Sequence, residues 1–265
     1  MRIHRGFAEI SDGQVHYAEC GAADGDVILL IHQSPRSWAE YRHVLPLLGS
    51  RFRAIAMDTL GFGDSATPSW EPSVERWANA SADFLRAMDI DRCDVVGHHT
   101  GGVIAVELAA CEPERVNRLV LSSTPFTDNK FRLERAARPP IDAVPASDDG
   151  AHLTAMWQQR QAFYPTSRPD LLHAFVLDAL KVSDPEAGHS AVARYRMEDR
   201  IGLVTHDTLV IRATDDPFAA PHASELASHL ARGRIVNING GMVPLPDQMP
   251  EAFAGVLLDF FDGVA

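Results

Sequence analysis

The chain has 265 residues, 46% of them hydrophobic and 23% charged, a balance that suits a globular protein with one substantial core. Its 36 acidic residues outnumber its 24 basic ones, for a formal charge of -12. Phosphate binding needs clustered Lys and Arg, so nucleic-acid and anionic-membrane partners are not expected, and a small-molecule substrate is.

The N-terminal MRIHRGFAEISDG is charged and has no apolar run of signal-peptide type. No later segment offers the roughly 18 consecutive apolar residues that a membrane span requires, so a cytoplasmic location is expected. HYAEC (16–20) reads as a strand, and VILLIH (27–32) and FRAIAMD (52–58) read as buried strands. SWAEYRHVLPLLGS and the stretch from Pro72 to Met88 carry helical periodicity, and DVVGH (94–98) and RLVLSS (118–123) continue the strands. Continuous apolar runs separated by helices predict an α/β protein with parallel strands covered on both faces. After Pro125 comes a segment interrupted by Pro and Asp, then three helical runs at about 152–163, 169–181 and 185–199. Strand patterning returns with TLVIRAT (208–214) and RIVNIN (234–239), and PDQMPEAFAGVLLDFF closes the chain as a helix. The expected organisation is a core of residues 1–124 and 204–265, with a helical cap inserted at 125–203 over the carboxyl edge of the sheet. Cys20, Cys93 and Cys111 are scattered without metal spacing and read as reduced small hydrophobes.

Residues 95–103, VVGHHTGGV, pose the chemical question. A strand, a tight turn with small residues at both ends and a helix together thrust the central residue into a site, a position that usually holds a nucleophile. Gly97 and Gly101 are the small ends here, and the centre is His99. Together with IHQSPRSW (31–38), DTLGFGDS (58–65), ATDDPF (213–218) and GGMVPLPDQMPEAF (240–253), in this order and spacing, the chain resembles the α/β-hydrolase superfamily over almost its whole length.

That resemblance implies an oxyanion hole built from backbone N–H groups of the first motif and of the residue after the elbow, which by position are Ser34 and Thr100. Gln33 stands where the family commonly has Gly, and its side chain could either donate to substrate or cap the neighbouring turn. The acid position matches Asp216, with Asp215 beside it. The family's histidine is missing: either Met242 holds its place after the glycines, or it has been deleted just before Met242. Two of three triad positions therefore depart from the pattern, and the ordinary serine-hydrolase mechanism is not implied.

At the positive end of the following helix, an imidazolium is disfavoured and a neutral imidazole is favoured. Neutral His99 can act as general base, as nucleophile or as hydrogen-bond donor, and general base is preferred because an acyl-imidazole hydrolyses readily. Its distal nitrogen is expected to reach into the pocket. His98 fits a structural role beneath the elbow, and His32, His98 and His99 match no metal signature. In the cap, EAGHSAVARYRMEDR places His189, Val192 and Tyr195 or Arg196 at three- and four-residue spacing, so His189 is a candidate replacement base or oxygen ligand. Trp157, with Met156 and Phe163, offers an apolar face that either packs or touches substrate.

Three functions stay open. The first is a cofactor-free hydrolase of a small ester or lactone. The second is a cofactor-free lyase, decarboxylase or oxygenase using His99 as base, and the third is a non-catalytic ligand-binding protein.

Overall fold

The computed structural model describes residues 1–263. Eight strands form one sheet in the order β1-β2-β4-β3-β5-β6-β7-β8. They are β1 (His4–Ile10), β2 (Gly13–Cys20), β3 (Val27–Ile31), β4 (Arg53–Met57), β5 (Cys93–His98), β6 (Val116–Ser122), β7 (Asp207–Ala213) and β8 (Gly233–Ile238). β2 runs antiparallel to β1 and β4, and all other pairings are parallel. The continuous apolar runs lie where burial on both faces demands them: Leu29 and Ile31 of β3 face one core cluster, and Ile28 and Leu30 face the other.

Among the described residues ten α-helices accompany the strands: α1 (Leu45–Leu48), α2 (Val74–Ala87), α3 (Thr100–Cys111), α4 (Asn129–Ala136), α5 (Ala151–Gln161), α6 (Pro169–Lys181), α7 (Ala187–Arg194), α8 (Ala223–Ser228), α9 (Leu245–Gln248) and α10 (Pro250–Phe261). On one face α2, α3 and α8 cover the sheet; on the other, α1 and α10 do. Ser73 caps α2, its Oγ accepting the Arg76 N–H at 3.2 Å. The helical run expected after Ser37 is instead a 3₁₀ turn at Trp38–Tyr41 followed by the single α1 turn. Pro46 enters at the start of α1, where its missing N–H costs no hydrogen bond.

Helices α4 to α7 are inserted between β6 and β7, at the carboxyl end of the parallel strands. Met156, Tyr164, Leu171, Leu172, Phe175 and Ala179 form a small core there together with Val243 from the connection after β8. Among the described residues no helix is long and apolar enough to cross a membrane.

Candidate functional site

The elbow is built by close backbone approach. A Cβ on Gly97 would lie 2.2 Å from the Gly101 carbonyl oxygen, and one on Gly101 would lie 2.0 Å from that of Ile31. Only glycine lets β5 turn into α3 at that distance. His99, between them, sits at φ 47° and ψ -113°, a conformation that side chains rarely adopt and that the surroundings must enforce. Its N–H donates to the Ser122 carbonyl at 3.0 Å, and its own carbonyl accepts from Gly102 at 2.9 Å.

Asp216 follows β7 and is fully buried. One oxygen, Oδ1, accepts the Phe218 and Ala219 amides at 2.9 and 3.2 Å. The other, Oδ2, lies 2.8 Å from Nε2 of His99, whose side chain is 14% exposed. The pair is close but off the line of a good hydrogen bond, and neither atom has another hydrogen-bond partner among the described residues. Burial pushes the Asp216 carboxyl up, but the facing imidazole and the Phe218 amide outweigh it and hold the group below its ordinary value. The distal nitrogen of His99, expected to reach into the pocket, is thus turned onto Asp216, and Nδ1 is the nitrogen left for the cavity.

That cavity encloses about 720 Å³ and is lined by Gln33, Ser34, His99, Thr100, His189 and Val243 together with residues of α4, α5 and the β7–α8 connection. The backbone N–H groups of Ser34 and Thr100 donate to no acceptor among the described residues, as two oxyanion donors require. Gln33 has a different task. Its amide Nε2 donates to Oε1 of buried Glu40 and reaches the Val243 carbonyl at 3.4 Å, while its backbone N–H donates to Glu40 Oε2 at 3.1 Å. Its donors hold the loop in shape, so the capping alternative, not substrate donation, describes them. Burial pushes Glu40 up to about 7 against the opposing pull of Arg36 and Gln33.

His98 lies beneath the elbow, edge-on to His99 with ring centroids 4.7 Å apart. Nε2 donates to the Val243 carbonyl at 2.9 Å, which leaves Nδ1 to accept the Ser122 hydroxyl at 3.0 Å. Burial, assisted by the His99 charge, pushes its pKa down to about 3, so it is a neutral strut. His32 is likewise structural: Nδ1 donates to the Gln33 carbonyl, Nε2 accepts the Thr59 amide, and burial lowers its pKa.

Tyr195, Arg196, Trp157 and Met242, all sequence candidates, fall outside the cavity. Tyr195 follows the last residue of α7 and has extended backbone, so the helical spacing that aligned it with His189 has already ended. Its buried hydroxyl donates to Glu107 of α3 at 2.7 Å. Trp157 faces the outer side of α5 and lines a separate surface pocket with His173 and Val176, whereas Gln159, Arg160 and Phe163 face the cavity. Met242 is half-buried with its N–H on Gln248 Oε1 at 2.7 Å, and the adjacent Val243 takes the place on the wall. Arg196, the alternative to Tyr195, pairs with Asp199 on the surface at 2.6 Å.

His189 of α7 does line the cavity, and sequence reasoning missed its partners. Its Nε2 lies 2.7 Å from Oδ2 of buried Asp142, which Arg160 also clasps through Nε at 2.7 Å and through Nη2. Asp142 and Arg160 lie 18 residues apart, and no local pattern links them to His189. Burial would raise the Asp142 carboxyl, but the His189 hydrogen bond and the Arg160 charge overcome it and lower the pKa.

Residues 26–241 match the family model of the alpha/beta hydrolase fold. The chain belongs to the α/β-hydrolase family. Within it, a 2-hydroxymuconate semialdehyde hydrolase of Pseudomonas sp. is 30% identical over 245 residues, covering 80% of this chain and 78% of that protein. Epoxide hydrolase 4 of Mus musculus is 31% identical over 112 residues, 42% of this chain, so the match spans about a third of that relative (31%). Among solved α/β-hydrolase structures, the enol-lactonase from Burkholderia xenovorans superposes with a TM-score of 0.81 at 20% identity, over 97% of this chain and 100% of that one. That last likeness is one of fold.

Proposed function

We propose that the chain is a hydrolase of a small carbonyl compound, an ester or lactone, in which His99 and Asp216 act as a two-residue base. The observation that carries this reading is the 2.8 Å approach of the elbow imidazole to the carboxylate at the family's acid position. One side chain on the elbow thereby spans the room in which an α/β-hydrolase normally seats both nucleophile and histidine.

Asp216 favours the tautomer with the proton on Nε2, so the lone pair is on Nδ1. Nδ1 takes a proton from water, the hydroxide oxygen bonds to the carbonyl carbon, and the amides of Ser34 and Thr100 receive the negative charge on the carbonyl oxygen. Asp216 stabilises the imidazolium until the departing group is protonated. A relative named as a hydrolase of a semialdehyde supports a carbonyl substrate.

Turnover of small esters and lactones in ¹⁸O-labelled water, read by mass spectrometry, tests the proposal. Label enters the carboxylic product with the wild type, and His99→Ala lowers kcat by about 10²-fold or more with the fold intact. An unchanged kcat in His99→Ala removes the residue from the reaction. Turnover without label assigns the same base to proton abstraction from the substrate.

A further inference from the structure

The cavity contains a second imidazole that, like the first, faces a buried carboxylate. His99 presents Nε2 to a buried carboxylate, Asp216; His189 presents Nε2 to another, Asp142. Neither ring has a protein partner at Nδ1 among the described residues, and both rings line one cavity. His189 is also close to the oxyanion loop, because its neighbour Gly188 rests on Ser34: a Cβ at Gly188 would be 1.9 Å from the Ser34 hydroxyl oxygen.

The support around His189 is elaborate for a half-buried histidine. Asp142 and Arg160 are both about 95% buried, at 4% and 5% exposure, whereas the His189 side chain keeps 16%. The loop carrying Asp142 is pinned to α7 by its own N–H, which donates to Glu186 Oε2 at 2.7 Å, and Glu186 pairs with Arg135 of α4 at 2.7 Å. Arg160 Nη2 lies 3.2 Å from His189 Nε2. The shorter contact to the anionic oxygen assigns the Nε2 proton to Asp142, since two donors cannot share that approach. The charged groups facing the ring are therefore Asp142 from the loop and Arg160 from α5, with Glu186 and Arg135 behind them. Such a support fixes an imidazole in one orientation and keeps Nδ1 for a ligand.

We propose that His189, as an imidazolium with a proton on each ring nitrogen, is the acid partner of His99, keeping its Nε2 proton on Asp142 and donating the Nδ1 proton to the oxygen that leaves the carbonyl carbon, with Asp142 and Arg160 as its positioning residues. This rests on the reading of His99 as base. In the first step water gives one proton to His99 Nδ1 and its oxygen bonds to carbon. In the second the carbon–oxygen bond of the ester breaks, its electron pair stays on the departing oxygen, and the proton on His189 Nδ1 moves to that oxygen. His99 then releases its proton to solvent and His189 regains one, so the sum is water plus ester giving acid plus alcohol.

Acid assistance matters only for a leaving group that is a poor anion. The test therefore compares two esters with the same acyl group, an alkyl ester and a nitrophenyl ester, in wild type, His189→Gln and His189→Asn. Glutamine places its terminal amide near the former Nε2, keeps a donor for Asp142 and so preserves the packing; asparagine mimics Nδ1 instead. The expected result for His189→Gln is a loss in kcat/KM on the order of 10²-fold for the alkyl ester and less than about threefold for the nitrophenyl ester. Equal losses on both esters, or none on either, overturn the acid assignment, and so does wild-type behaviour of His189→Asn on the alkyl ester. His99→Ala separates this from the base reading, because it abolishes turnover of both esters alike. If His99→Ala leaves turnover intact, the base assignment fails while the ratio between the two esters still reports on His189.

Discussion

Replacing Asp216 by asparagine changes one oxygen to nitrogen and leaves the shape of the site alone. Oδ1 still has the Phe218 and Ala219 amides to accept, so the amide nitrogen takes the place of Oδ2 facing His99. A donor there turns the ring to the tautomer with its proton on Nδ1, and the base is lost. Asp216→Asn should lower kcat by about 10²- to 10⁴-fold, measured on any ester the wild type turns over. Stability moves as well. The folded-state pKa of Asp216 lies below the ordinary 3.8, so its contribution is present above that value and is lost as pH falls through the depressed one. The gap in urea stability between wild type and Asp216→Asn should therefore narrow in acid below about pH 3.8. His99, Asp216, Ser34 and Thr100 were legible because each stands just past a parallel strand, where chain order dictates position. The partners of His189 were not, since Asp142 belongs to a Pro-rich connection and Arg160 to another helix.

At the scale of elements, α7 is the piece that brings the insertion onto the oxyanion loop. Gly188 lies against Ser34 with no room for a methyl group, and the loop itself is braced by Glu40. Gly188→Ala should destabilise the protein by about 1–3 kcal/mol in denaturant unfolding and should raise KM, because α7 is pushed off the cavity wall. A change confined to stability, with KM untouched, would show that α7 gives way without disturbing the site. The periodicity of α6 was plain in the sequence, and α7 was half-plain: expected over 185–199, it begins at Ala187 and ends at Arg194, one residue before Tyr195. β1 escaped notice because it is an edge strand that buries only Ala8, and α4 because it buries no residue at all. Hydrophobic pattern reports burial, so elements that bury nothing are silent.

Across the whole molecule, one arginine joins the parts. Arg36 is fully buried; Nε donates to Asp178 of α6 at 2.8 Å and Nη2 to Asp247 of α9 at 2.9 Å, while Ser37 donates to the other Asp178 oxygen at 2.9 Å. The insertion, the C-terminal helices and the loop before the first 3₁₀ turn thus meet at a single guanidinium. Removing one partner of such a cluster strands the remaining charges, so Arg36→Leu should cost about 3–5 kcal/mol in urea unfolding. Amide exchange across α6 should rise before exchange in the strands does. Equal protection of α6 in both proteins would show that the small core around it, not the arginine, keeps it in place.

The imidazole on the elbow also decides how this chain is seen by other chemists. Fluorophosphonate reagents find hydrolases by forming a durable bond to an activated serine, and the residue displayed at φ 47° between Gly97 and Gly101 has no hydroxyl to give them. A census of hydrolases taken by covalent tagging would pass over a protein that a census taken by backbone shape would count.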